Sequence, residues 1–149
     1  KGYKHFANKI WNVARFVLSN TEEIDVTTVP SHEAFSEREI AIRKEFHALL
    51  EDVSRHIEQF NLYLAADTAY HYLWHTFADV IIEESKGILN GDDKEARAVR
   101  GWLLFHLLTE NLKMLHPFMP FVTEAIWQEL PKEARDTDML MVAKWPRKV

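Results

Sequence analysis

The chain has no cysteine among its 149 residues. That excludes a disulfide framework, a thiol nucleophile and zinc sites built on cysteine. Glycine is scarce, with four, and no phosphate-binding glycine loop is present. A Gly-x-Ser-x-Gly elbow and a dinucleotide fingerprint are missing as well. No apolar run reaches the ~18 residues of a membrane span. The five prolines fall mostly at segment ends, which leaves room for long helices. Glu83-Glu84 and Asp92-Asp93 are adjacent acids. Neighbours on a helix diverge by about 100°, so neither pair forms a shared acid–base site. His71 and His75 are four apart with Asp79 one turn further on, a spacing that can chelate a metal. No Glu follows His71, however, so the zinc-protease pattern is absent. No Glu-x-x-His pair of the di-iron bundle type occurs either. Nothing here reads as a self-sufficient active site.

What is present is a globular composition, 47% hydrophobic and 28% charged. The length fits one domain spanning 1–149. The chain opens on Lys-Gly-Tyr-Lys, without an initiator Met and without a basic-then-apolar leader. The expectation is therefore a piece of a longer protein. The net charge of −5 is uneven. Lys1, Lys4, Lys9 and Arg15 precede Thr21 with no acid among them, so residues 22–149 carry −9. A local basic face can bind RNA even on an acidic chain.

That basic end is a helix by period. Phe6, Ile10, Val13 and Val17 recur at i, i+4, i+7 and i+11, with Ala7, Trp11, Ala14 and Leu18 as a second stripe. His5, Asn8, Asn12, Arg15 and Ser19 share the opposite side, flanked by Lys4 and Lys9. That side offers donors and positive charge, with no carboxylate of its own. Asn and Arg side chains can meet both phosphates and base edges. An ordinary solvated helix face is the other reading, and the period alone does not separate the two. The five tryptophans are expected in the core, except that Trp11 and Phe16 lie on or beside the basic face.

Residues 21–32 form a linker with no helical period. Ser36-Glu37-Arg38-Glu39 has the capping-box pattern that opens a second helix. Its predicted buried face is Ile42, Phe46, Leu49, Val53, Ile57 and Phe60. A third helix is predicted over about 65–88, with Ala66, Ala69, Leu73, Phe77, Val80 and Ile81 inside. Asn90-Gly91-Asp92 is a turn. A fourth helix over about 93–115 has Leu104, Leu108, Leu112 and Leu115 as its spine, and His116-Pro117 stops it. Pro120 starts a short fifth helix that ends before Pro131. An apolar strip at 139–143 and Trp145-Pro146 form a tail. The fold expected is all-α: an antiparallel helical bundle of four long helices, a short fifth helix and a packed C-terminal tail.

Several stretches resemble the anticodon-binding domain of valyl-tRNA synthetases, a class I aminoacyl-tRNA synthetase family. Residues 8–18, Asn-Lys-Ile-Trp-Asn-Val-Ala-Arg-Phe-Val-Leu, are similar to its first helix. Trp74-His75-Thr76-Phe77 followed by Glu83-Glu84-Ser85-Lys86 is similar to its third. His116-Pro117-Phe118-Met119-Pro120-Phe121-Val122-Thr123-Glu124 is the most specific match. Isoleucyl and leucyl enzymes share its Pro-Phe and Glu-x-x-Trp skeleton. Met141-Val142-Ala143-Lys144-Trp145-Pro146 resembles the stretch that closes the domain. Phe77-Ala78-Asp79-Val80-Ile81 departs from the Phe-Cys-Asp-Trp-Tyr common in that family, through core-type exchanges.

The resemblance implies a non-catalytic domain of an ATP-dependent ligase that joins valine to its tRNA. Cofactors are expected to be none in this domain, with ATP and Mg in the parent enzyme. The family's His-Ile-Gly-His and Lys-Met-Ser-Lys-Ser signatures are absent here and belong to a preceding catalytic domain of the same chain. Expected partners are the anticodon stem-loop of valine tRNA and that catalytic domain, with no membrane and no DNA. A monomeric, cytoplasmic protein is expected. Asn8, Lys9, Trp11, Asn12, Arg15 and Phe16 are the candidate tRNA-binding residues. The alternatives are the same domain of an isoleucyl or leucyl enzyme, a helical protein-interaction module docking an acidic partner, and a metal-binding bundle through His71 and His75.

Overall fold

A computed structural model describes residues 2–146. Lys1, the first of the amino-terminal cations, lies outside the described residues. Among those residues there is no β-strand, and five helices build the molecule. Helix α1 is Gly2–Thr21 and α2 is Glu37–Glu58. Helix α3 is continuous but changes its winding: α-helical over Leu62–His71, π-helical over Tyr72–Ile82, and α-helical again over Glu83–Leu89. Helix α4 is Lys94–Leu115 and α5 is Pro120–Glu129, with Pro120 in its first turn. Single-turn 3₁₀ segments at His32–Ala34, Lys132–Ala134 and Leu140–Val142 punctuate the linker and the tail.

Short turns reverse the chain between α2, α3, α4 and α5, so these four alternate in direction. Helix α1 runs beside α3 in the same sense. Phe6 stacks on Tyr70 near their starts, Lys9 meets Asp79, and Lys86 lies over Phe16 towards their ends. One continuous hydrophobic cluster extends from α1 through to Leu140 in the tail.

The capping box forms as the sequence predicts. Glu39 N–H donates to Ser36 Oγ (3.2 Å), and Ser36 N–H donates to Glu39 Oε1 (2.8 Å). The other Glu39 oxygen has a second role. Arg100 Nε donates to it (2.9 Å), and Arg100 Nη1 donates to Ser85 Oγ (2.9 Å). The Arg100 and Glu39 side chains are only 3% and 6% exposed. A single carboxylate thus caps α2 and ties it to α4, while Arg100 reaches α3.

Helix α4 is the axis of the bundle. Every residue from Val99 to Leu115 is buried except the half-buried His106. A helix without a solvated face belongs in the interior, and its polar residues must find partners there. Lys113 pairs with Glu110 (3.1 Å) and, by a short contact, with Asp136 of the tail. Asn111 Nδ2 donates to Leu107 O (2.7 Å). His106 Nε2 bonds Val26 O (2.8 Å), which pins the linker against α4. Burial pushes the His106 pKa below its ordinary value, against the opposing pull of the Val26 carbonyl. A Cβ at Gly101 would collide with the Ile24 side chain, so this glycine lets the linker seat closely.

Three positions predicted for the core are exposed: Phe60, Val80 and Trp145, the last 37% exposed with its Nε1 donating to Ser54 Oγ (2.9 Å) at the surface. Phe60 is 87% exposed. It follows the last residues of α2 in a left-handed conformation, φ 60°. Phe60 N–H donates to Ile57 O (3.0 Å) and Asn61 N–H to His56 O (2.8 Å). That is the Schellman ending, whose left-handed position favours glycine. A β-carbon there costs roughly 1–2 kcal/mol. Val80 is 45% exposed because of the π winding. Bonds from i to i+5 line up rows five residues apart, and Tyr72, Phe77 and Ile82 form one buried row, with Leu73 and Ala78 in another. The α-helical period misplaces Val80 in such a segment.

The tail packs onto α5 through polar contacts rather than as an apolar strip. Met139, Met141 and Val142 are largely exposed, and of the 139–143 strip only Leu140 is buried. Glu124 accepts Leu140 N–H (2.9 Å) and Met141 N–H (3.3 Å), and Trp127 Nε1 donates to Thr137 O (3.0 Å). Burial raises the Glu124 pKa, but the Leu140, Gln128 and Met141 donors outweigh it and hold the carboxyl below its usual value.

Candidate nucleic-acid interface

The core side of α1 fixes which residues face outward. Phe6, Ile10, Val13, Ala14 and Val17 are buried, and a fully buried phenylalanine contributes about 1.5–3 kcal/mol. Turning the helix by one residue would expose this stripe, so Asn8, Asn12, Arg15 and Ser19 are held in solvent. The six candidate residues from Asn8 to Phe16 cover about 12 Å of helix.

The structure sorts those six into three columns. Asn8 and Asn12 are central and exposed. Trp11 and Arg15 lie on the α5 side, where the guanidinium sits 5.6 Å above the half-buried Trp11 ring. Arg15 Nη1 also approaches Asn12 Oδ1 at 3.5 Å. Lys9 and Phe16 lie on the α3 side. Lys9 Nζ donates to Asp79 Oδ1 at 2.8 Å and sits 5.4 Å from the Trp74 ring centroid. Phe16 is half-buried, and Lys86 Nζ lies 6.0 Å from its ring centroid.

The face is therefore not free of carboxylates once its neighbours are in place. Asp79 borders it on the α3 side. The Lys9 hydrogen bond holds the Asp79 carboxyl below its usual pKa, and His75 adds to the effect. On the other side a hollow of about 570 Å³ runs between α1 and α5, lined by Trp11, Arg15 and Ser19 and by the acids Glu22 and Glu129. Of the two candidate cations, Arg15, with only a weak intrahelical contact, is the more open to a phosphate or a base. Lys9 already has a carboxylate partner. Lys86 is likewise engaged, with Glu83 Oε1 at 2.8 Å.

Sequence reasoning on α1 alone missed Trp74, Asp79 and Lys86, all from α3, because nothing in the α1 period shows which helix packs beside it. The weak signal available was Trp74, singled out as one of five tryptophans. His71 and His75 stack with ring centroids 5.3 Å apart and planes at 21°. Each meets a different acid, His71 with Asp67 at 3.2 Å and His75 with Asp79 at 3.6 Å. Among the described residues no three His, Asp or Glu side chains are grouped to hold a metal ion. No helix among them is long and apolar enough to cross a membrane.

The family described as "Anticodon-binding domain of tRNA ligase" matches residues 39–149. The chain belongs to that family. It is similar to the valine--tRNA ligase of Petrotoga mobilis, 38% identical over 144 residues, covering 97% of this chain and 16% of that protein. The valine--tRNA ligase of Clostridium tetani is 34% identical over 143 residues, covering 96% and 16%. That of Legionella pneumophila is 35% identical over 150 residues, covering 99% and 16%. The chain thus spans 16% of the length of these relatives. Within the anticodon-binding domain, the family match begins at Glu39, while the relatives' alignments cover 96–99% of the chain and so take in most or all of α1.

Proposed function

We propose that this chain is the anticodon-binding domain of a valine–tRNA ligase and that the outer face of α1 meets the anticodon stem-loop. The observation that carries the ligase assignment is identity of 34–38% over nearly the whole chain to proteins named valine--tRNA ligase. The outward placement of Asn8, Asn12 and Arg15 supports the choice of face. Single-stranded loops are read through unstacked bases that stack on aromatic rings or guanidinium planes and hydrogen-bond along their edges. Arg15 over Trp11 offers such a plane. Asn8 and Asn12 offer paired donors and acceptors for a base edge or a ribose hydroxyl.

In this reading the domain performs no chemistry. It holds the far end of the tRNA so that the acceptor end is oriented for the reaction elsewhere. ATP and Mg²⁺ would serve a catalytic domain of the same longer polypeptide. A monomeric, cytoplasmic enzyme completes the proposal.

Charging assays with the full-length protein and valine, isoleucine and leucine test it. Charging of valine tRNA alone is the expected result, and charging with isoleucine or leucine would reassign the enzyme. A preference for generic polyanions over folded tRNA would instead favour a protein-interaction module.

A further inference from the structure

Asp79 stands among donors on a face suited to a polyanion, and its side chain is 46% exposed. An open carboxylate repels phosphate, so on such a face it needs a ligand group that donates to it. Lys9 Nζ occupies Oδ1 at 2.8 Å, and His75 Nδ1 lies 3.6 Å from Oδ2. An ionised carboxylate accepts about four hydrogen bonds, so Asp79 keeps capacity for a further donor. The Lys9 ammonium holds it in the ionised form, in which it only accepts.

The π winding of α3 gives this acceptor its setting. Trp74 and Asp79 are five apart within Tyr72–Ile82. They therefore share one row, where an α-helix would turn them about 140° from each other. Lys9 joins the two, since its Nζ also sits 5.4 Å from the Trp74 ring centroid. That ring is half-buried and packs on Phe6 and Tyr70, with centroids 6.3 and 5.7 Å away. A fixed aromatic ring and a fixed acceptor thus lie side by side at the α1–α3 border. Recognition of an unpaired base combines stacking with hydrogen bonds along the base edge. π segments are frequent at functional sites.

We propose that Asp79 is a specificity-determining residue of the candidate interface, accepting the exocyclic amino group of an unpaired cytosine, adenine or guanine and rejecting uracil. The proposal rests on the reading of the α1 face as the anticodon stem-loop site. A carboxylate accepting from cytosine N4 is a recurrent base contact. Uracil has a carbonyl oxygen where cytosine has that amino group, and its one ring N–H lies between two carbonyls. Its edge therefore turns lone pairs towards the carboxylate. Lys9 stays with Asp79 and fixes its direction instead of contacting phosphate.

Binding of the full-length protein to valine-tRNA anticodon stem-loops, with one loop base at a time changed to uracil, tests this. In the wild type, uracil at one amino-bearing position should weaken binding by about tenfold or more. Deleting only the amino group from the base at that position should reproduce most of the loss, with no change to the protein. Asp79→Asn should shrink the uracil penalty to about twofold or less, because an amide both donates and accepts. Lys9→Met keeps the carboxylate and removes the bridge, so it should keep the penalty. Loss of the penalty in both variants alike would make the pair a structural bridge between α1 and α3 and overturns the proposal. So does full binding by the base without its amino group. A wild-type penalty that survives intact in Asp79→Asn removes Asp79 alone and leaves the α1 face standing. A wild type indifferent to every loop change removes the face itself, and the role of Asp79 with it.

Discussion

Helices α1 and α4 both carry arginine and lysine, and the two sets have opposite fates. On α4, Arg100 is buried against Glu39 and Ser85, and Lys113 is buried between Glu110 and Asp136. Their charge is consumed in joining helices and tail. On α1, Arg15 projects into solvent with an aromatic ring beneath it and, among the described residues, no carboxylate within ion-pair distance. Lys9 stands between these cases, exposed in part and paired with Asp79 at 2.8 Å. Residue type does not distinguish a cation consumed in the interior from one left open to solvent. Burial and the partner do.

The sharpest way to test the interior half of that contrast is Glu39→Ala. It leaves Arg100 buried without its partner and removes the α2 cap, so a loss of about 3–5 kcal/mol is expected in denaturant unfolding. A loss under about 1 kcal/mol would mean that the pair is no more than a surface bridge. Lys113→Ala should cost less, about 1–3 kcal/mol. It should also release the 132–136 segment to limited proteolysis, and unchanged cleavage would show that Lys113 does not hold the tail.

On the exposed half, Arg15→Ala should leave stability within about 0.5 kcal/mol while weakening tRNA binding by about tenfold or more. Native binding by that variant would remove Arg15 from the interface. Lys9→Ala has the smaller expected effect. A free phosphate contact lowers the salt slope by about one, and the Asp79 pairing should reduce that change well below one. A full-unit drop in slope would show that Lys9 leaves Asp79 when RNA binds.

His106 sets a pH dependence on the interior. Its folded pKa lies below the ordinary 6.5, so the unfolded chain binds more protons in that interval. The contribution of neutral His106 is complete above pH 6.5 and is lost as pH falls below it. Thermal melts from pH 7.5 to 5.5 should show falling stability in the wild type and a flatter profile in His106→Gln. Parallel profiles would assign the dependence to other groups.

The helices were legible, and so were the ends that rest on local chemistry: the Ser36–Glu39 box, the Asn90–Asp93 turn, His116-Pro117 and Pro120. The start of α3, expected near 65, lies at Leu62, where Asn61 makes no side-chain cap that could mark it. The five-residue rows of the π stretch were not, since Tyr72–Ile82 read equally well at an α-helical period, and Val80 was misplaced as a result. The central position of α4 was only half visible. Leu104, Leu108, Leu112 and Leu115 mark one stripe, but Arg100, Glu110 and Lys113 look like a solvated face until Glu39 and Asp136 arrive from elsewhere in the chain. The outward residues of α1 followed from its own period. Their acidic borders, Asp79, Glu22 and Glu129, did not, because two of them come from helices distant in sequence and the third from the linker.

The central claim is that the α1 face reads the anticodon loop rather than merely attracting phosphates. Its most direct test is binding to a valine-tRNA anticodon stem-loop and to the same stem with a changed loop, across a salt series. The account predicts a loop-dependent difference that survives added salt. Equal binding to both, fading together as salt rises, would mean counterion release alone and would contradict it.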